Sequence, residues 1–138
     1  MIETYRGIVY RSQVDHMDHM NIQWYTSKFD EATWHLFSKL GITTGYIGEN
    51  KRGMAAVEQT IKYKSEAVAG DLLVIKSRVI EMKEKVIRFE HIMYNAETNI
   101  ELAVADQIGG VHIDRQRRES CPFPPHILQR GIELSEKE

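Results

Sequence analysis

Two carboxylates, two imidazoles and an amide fall within the run Val14-Asp15-His16-Met17-Asp18-His19-Met20-Asn21, directly ahead of a helical pattern. A helix start presents unpaired backbone N–H groups and the positive end of the macrodipole, so it can stabilise a carbonyl oxygen that gains negative charge. Asp15 beside it would supply a general base or a nucleophile. His16 and His19, with Asp15 and Asp18, also have the donor types of a metal site. No second cluster with ligand spacing supports one, and the expectation is that no metal is bound.

The element that must position this run is the helix after it. Ile22, Tyr25, Phe29, Ala32, Leu36 and Leu40 recur at intervals of three and four and make one apolar stripe. Asn21 is the expected N-cap and Gly41 the expected stop. Residues 41–53 read as a connecting loop. Beyond Gly53 the period falls to two, and β-branched and aromatic residues mark strands. Val57, Gln59, Ile61 and Tyr63 share one face of the first. Leu73, Ile75, Ser77 and Val79 share one face of the next, after a turn at Ala69-Gly70-Asp71. A turn at residues 82–85 leads to Ile87, Phe89, His91 and Met93, where His91 is expected as a core histidine with a satisfied ring. Residues 95–99 close that hairpin, and residues 100–113 form a last long strand with a bulge or bend at Gly109-Gly110. Residues 5–14 supply a further strand, and Pro122, Pro124 and Pro125 end the regular part ahead of a short helix or tail.

The chain has 138 residues, one domain's worth, and the expectation is a single domain over 1–138. Its fold class is α+β, with one curved antiparallel sheet wrapped around a long central helix. A hydrophobic share of 42% with 28% charged residues of both signs is that of a soluble globular chain. No apolar run reaches the roughly 20 residues of a membrane span, and the N-terminus lacks the pattern of a signal peptide. A lone cysteine, Cys121, excludes an internal disulfide, and the expected location is the cytoplasm. A net charge of −2 gives no sequence-wide field for nucleic acid. The exposed sheet edges of such a fold call for pairing across a two-fold axis, so a homodimer, or a tetramer built from it, is expected.

In this order and spacing Asp15, His19, Met20, Asn21, Tyr25 and Phe29 resemble the helix-start pattern of the hotdog-fold acyl-CoA thioesterases of the 4-hydroxybenzoyl-CoA thioesterase type. The Leu40-Gly41 helix end and the Ala69-Gly70-Asp71 turn extend the resemblance over nearly the whole chain. Two departures stand out: Asp18 occupies the family's usual glycine position, and Ile22 replaces a second Asn. The glycine could serve a positive φ or a close approach of substrate, and Asp tolerates the first better than the second.

The resemblance implies hydrolysis of an acyl-CoA to the free acid and CoA, with CoA as part of the substrate and no further cofactor. Asp15 would be the base or nucleophile, and Asn21 would orient the carbonyl or the water while capping the helix. Glu58 and Gln59, where a partner's strand can approach a helix start, are candidates to assist the acid–base step. Asp18, His19, Met20 and Tyr25 would shape the substrate site. Lys83, Lys85, Arg115 and Arg117 are candidates for the CoA phosphates. Trp24, Trp34 and Phe37 read as core or dimer contacts. Rival readings are a domain that binds an acyl or CoA ligand without turnover, and a dehydratase or hydratase on the same fold.

Overall fold

A computed structural model describes residues 1–137, the side chain of residue 107 apart. Strand β1 (Ile2–Ile8) leads through a 3-10 turn (Arg11–Gln13) into helix α1 (Ile22–Leu40). Helix α2 (Thr44–Asn50) follows, then strands β2 (Arg52–Glu58), β3 (Ile61–Tyr63), β4 (Leu72–Met82), β5 (Val86–Asn95), β6 (Glu101–Asp114) and β7 (Glu119–Ser120), and helix α3 (Pro125–Glu136). All pairings are antiparallel in one sheet of order β1-β4-β5-β6-β2, with β3 and β7 also on β6. The expected α+β wrap of one sheet about one helix is the observed hotdog architecture.

Helix α1 has the expected bounds for local reasons. The Asn21 side chain accepts the N–H of Gln23, and Gly41 ends the helix at φ 100, a left-handed conformation that costs glycine little. Tyr25, Phe29, Ala32, Leu36 and Leu40 are buried, but Ile22 is 63% exposed and stands outside the stripe it was expected to join. The helix packs on Leu73, Ile75, Val79, Ile87, Phe89 and Met93 from the inner sheet face. The side chains expected to face inward on β4 and β5 do so, His91 among them.

Three expected elements differ. Residues 41–53 contain α2, started by the Thr43 hydroxyl accepting the N–H of Tyr46. The first strand ends at Ile8, because Gln13 folds its side chain back onto the N–H of Tyr10 and turns the chain. The run from Val57 to Tyr63 is not one strand: β2 and β3 lie end to end along β6, broken at Gln59-Thr60. The register shifts between Ala56 and Glu58 opposite Gly110 and Gly109, so the irregularity expected at the glycines is carried by β2, and Val57 points outward at 63% exposure.

Candidate active site

The run from Val14 to Met20 is a closed loop bridged at its two ends. Asp15 N–H donates to His19 O at 2.9 Å, and Asp18 N–H donates to Asp15 O at 3.0 Å. Two outside bonds fix it to the scaffold: Met20 N–H to Ala67 O at 2.7 Å and Asn21 N–H to Gln13 O at 2.8 Å. Asp15 Oδ1 accepts the N–H of Met17 at 2.9 Å, while Oδ2 has no protein partner among the described residues. Asn21 Oδ1 is committed to Gln23 N–H at 3.0 Å. That leaves the N–H of Ile22, the first of the helix, without an acceptor among the described residues. The half-buried Asp15 carboxylate therefore belongs to the loop that leads into a free helix-start N–H, and these are groups that can activate water and receive an oxyanion.

Asp18 sits at φ 62. The left-handed backbone accounts for the glycine usual at this place, and Asp is among the few other residues that adopt it readily. Its side chain is exposed beside Arg11, Val14 and Val68. His19 contacts Glu66 through Nε2 and Oε2 at 2.9 Å. Glu66 was not anticipated from sequence; it arrives from the segment before β4 through the same Met20–Ala67 pairing that anchors the loop. Met20 and Tyr25 are buried beneath the site, with burial pushing the Tyr25 hydroxyl pKa up and its bond to the Ala67 backbone opposing that. No three His, Cys, Asp or Glu side chains converge as metal ligands among the described residues.

Glu58 ends β2 and Gln59 follows it, and neither is hydrogen-bonded or ion-paired to Asp15 among the described residues. Gln59 lines a cleft of about 80 Å³ between α1 and the β2–β6 ladder, together with Thr33, Phe37, Met54, Phe89 and Gly110. Asp30 and Trp34 complete its helix side. Behind Thr33 runs a buried polar chain. Thr33 Oγ1 contacts His91 Nε2 at 2.8 Å, His91 Nδ1 contacts the Ser77 hydroxyl, and Ser77 contacts Thr4 at 2.6 Å. Burial pushes the His91 pKa down to about 3, so the ring is neutral at neutral pH.

The basic candidates lie elsewhere. Lys83 and Lys85 occupy the β4–β5 turn, and Arg115 and Arg117 occupy the β6–β7 turn. Lys85 O accepts the N–H of His112, so the two turns are neighbours at one end of the sheet. Arg115 donates to Ile47 O at 2.9 Å, while Arg117 is highly exposed. The Asp15 loop is at the other end, where Val9 N–H meets Asp71 O just ahead of β4. The eleven residues of β4 run between the two ends, a length of at most about 33 Å at ~3.3 Å per residue.

Comparison with known proteins supplies an independent view of this geometry. A family model described as the thioesterase-like superfamily matches residues 9–131. An L-carnitine dehydrogenase/betainyl-CoA thioesterase from a Rhizobium species is 23% identical over 123 residues, which are 89% of this chain and 24% of that protein. The chain thus spans about a quarter of the length of that curated relative. A hypothetical protein from Staphylococcus aureus, solved in complex with CoA, superimposes with a TM-score of 0.91 at 16% identity over 100% of this chain and 88% of that one. A 1,4-dihydroxy-2-naphthoyl-CoA thioesterase from Synechocystis superimposes with a TM-score of 0.81 at 20% identity, covering 94% and 95%.

Proposed function

We propose, from the premise that this chain belongs to the thioesterase-like superfamily, that it hydrolyses an acyl-CoA thioester to the free acid and CoA. The observation that carries the reading is the Asp15 carboxylate, held on Oδ1 and free on Oδ2, in the closed loop that leads into the unpartnered N–H opening α1. In the direct-hydrolysis route Oδ2 takes a proton from water as the water oxygen bonds to the thioester carbon. The carbonyl oxygen then collects negative charge against the helix start, the C–S bond breaks, and CoA leaves as thiolate to take up a proton. The nucleophilic route differs in that Oδ2 bonds the carbon first and water cleaves the resulting anhydride. Neither route draws on a metal or a further cofactor, and strong chelation leaves turnover intact. Restoration of chelator-abolished turnover by zinc or iron would contradict this.

The site is completed by a second copy of the chain. An extended pantetheine arm is shorter than the length of β4 that runs between the Asp15 end and the basic turns of the same protomer, which favours a neighbour's basic turns as the holders of the phosphates of a thioester lying at Asp15. Strand β2 is a sheet edge, exposed from Ala55 to Glu58. It runs from the basic end towards the middle of β6. Antiparallel pairing of two β2 edges about a two-fold axis directs the partner's basic end towards the Asp15 end of this protomer. It also covers an edge that would otherwise template aggregation. Arg117 and Lys83 then serve the neighbour's substrate, and Glu58 and Gln59 approach the neighbour's helix start. A CoA substrate and a lone cysteine fit a reducing cytoplasm. No described helix is long and apolar enough to cross a membrane.

Thiol release from a panel of acyl-CoA esters by the full chain tests the activity. Turnover of at least one ester supports it. Binding of the esters with no release of CoA contradicts it and makes the chain a ligand-binding domain.

A further inference from the structure

The face of α1 that begins at the free N–H of Ile22 continues through Thr26, Asp30, Thr33 and Phe37, positions three to four residues apart. Ile22 and Thr26 are exposed in the single chain, so within one protomer this face is open from the helix start up to the cleft, and in the proposed dimer the neighbour's Glu58 and Gln59 face its start. Opposite it run Tyr63 on β3, packed edge-on against Tyr25, and then Gln59 and Met54 beside the cleft. Asp30 lies eight residues along the helix, about 12 Å from its start at ~1.5 Å per residue. That separation is the reach of an extended acyl chain of about eight to ten atoms whose carbonyl sits at the Ile22 N–H.

Among the described residues, the one charged group at the cleft is the exposed Asp30 carboxylate, while the Gln59 amide and the Trp34 indole add hydrogen-bond donors to its lining. Asp30 forms no ion pair or hydrogen bond among the described residues, and a carboxylate only accepts. The Thr33 hydroxyl touches Phe29 O at 3.0 Å and His91 Nε2 at 2.8 Å. It has one proton, and in either direction of the Thr4–Ser77–His91 chain that proton goes to Phe29 O or to His91. Thr33 therefore turns only a lone pair towards the cleft. Aromatic rings of Trp34, Phe37 and Phe89 form part of the remaining wall beside Met54 and Ile108, and aromatic faces carry negative quadrupole density.

We propose that this cleft holds the far end of an extended acyl group and selects a terminal ammonium over a carboxylate. The proposal rests on the thioesterase reading, and its test separates the two. The probes are the CoA thioesters of 8-aminooctanoic acid, nonanoic acid and octanedioic acid, which place a cation, a methyl group and an anion at one distance from the carbonyl. A short pair, 4-aminobutyryl-CoA and pentanoyl-CoA, cannot reach Asp30.

The 8-aminooctanoyl ester is expected to exceed the nonanoyl ester in kcat/KM by about 5-fold, with octanedioyl the poorest, the scale of a cation beside an exposed carboxylate and aromatic rings. Asp30→Asn is expected to remove most of that cation-to-methyl ratio, Asp30→Glu to retain part of it, and the short pair to show no preference. Equal or better turnover of the nonanoyl or octanedioyl ester overturns the proposal. So does a ratio unmoved by Asp30→Asn, or an equal cation preference in the short pair, which would place the recognition elsewhere. If no ester is hydrolysed, the thioesterase reading falls, and calorimetric dissociation constants of the same five esters decide the preference by the same criteria.

Discussion

Asp15 Oδ1 accepts the backbone N–H of Met17 at 2.9 Å. A turn residue that bonds its own backbone and a catalytic carboxylate are usually alternatives for one Asp, but in the proposed mechanism the two oxygens divide the roles. The bond fixes the side chain and leaves Oδ2 for the proposed chemistry.

Asp18 can be tested by restoring glycine. At φ 62 the backbone suits glycine without strain, which offsets the chain entropy that glycine loses on folding. Asp18→Gly is expected to change stability by no more than about 1 kcal/mol. It also removes a negative charge from beside the helix start, so turnover is preserved or raised. Thermal unfolding and thiol release check both. Loss of turnover with the fold intact would make Asp18 the working carboxylate.

His91 predicts an acid-side loss of stability. Burial lowers its pKa from 6.5 to about 3, so between those values the unfolded chain binds a proton that the folded chain does not. The stability it contributes is complete above pH 6.5 and lost as pH falls towards 3, by up to about 1.4 kcal/mol per pH unit. Urea midpoints from pH 7 to pH 4 should fall more steeply in the wild type than in His91→Asn. Equal slopes would assign the loss to other groups, among them His112, which burial also shifts downwards.

The helix was legible because its signals are local: a cap at Asn21, a stop at Gly41 and a stripe between them. Helix α2 was not, since TGYIGEN contains two glycines and little propensity. Tertiary bonds support it instead, from the Tyr46 hydroxyl to His112 at 2.9 Å and from Arg115 to Ile47 O. The Val57-to-Tyr63 alternation failed because a bulge set by pairing with Gly109 and Gly110 inverts one face. The Asn21 cap could be read from spacing, and the positive φ at Asp18 is one of the two readings open there. Glu66 could not, as it meets His19 only through chain folding. Asp30 and Thr33 lie on the face of Ile22 at helical spacing, a signal present in the sequence and passed over. That the basic turns sit at the far end of the sheet from Asp15 depends on strand direction, which residue spacing does not carry.

The opposed placement of Asp15 and the basic turns predicts that the active form is at least a dimer. Sedimentation at assay concentration should show no active monomer. Charge reversal at Arg117, 78% exposed on its side chain, should raise KM for acyl-CoA more than it lowers kcat. In mixed dimers with Asp15→Asn chains it should act on the neighbour's site. An active monomer, or an Arg117 effect confined to its own chain, would contradict the shared site.

The most direct measurement is the turnover number for CoA release by Asp15→Asn beside the wild type, on a common acyl-CoA ester and with oligomeric state and unfolding midpoint recorded for both. The account predicts a folded oligomer whose kcat falls by at least about 100-fold, the scale of losing a general base. Near-wild-type hydrolysis by that variant would contradict it and move the chemistry away from Asp15.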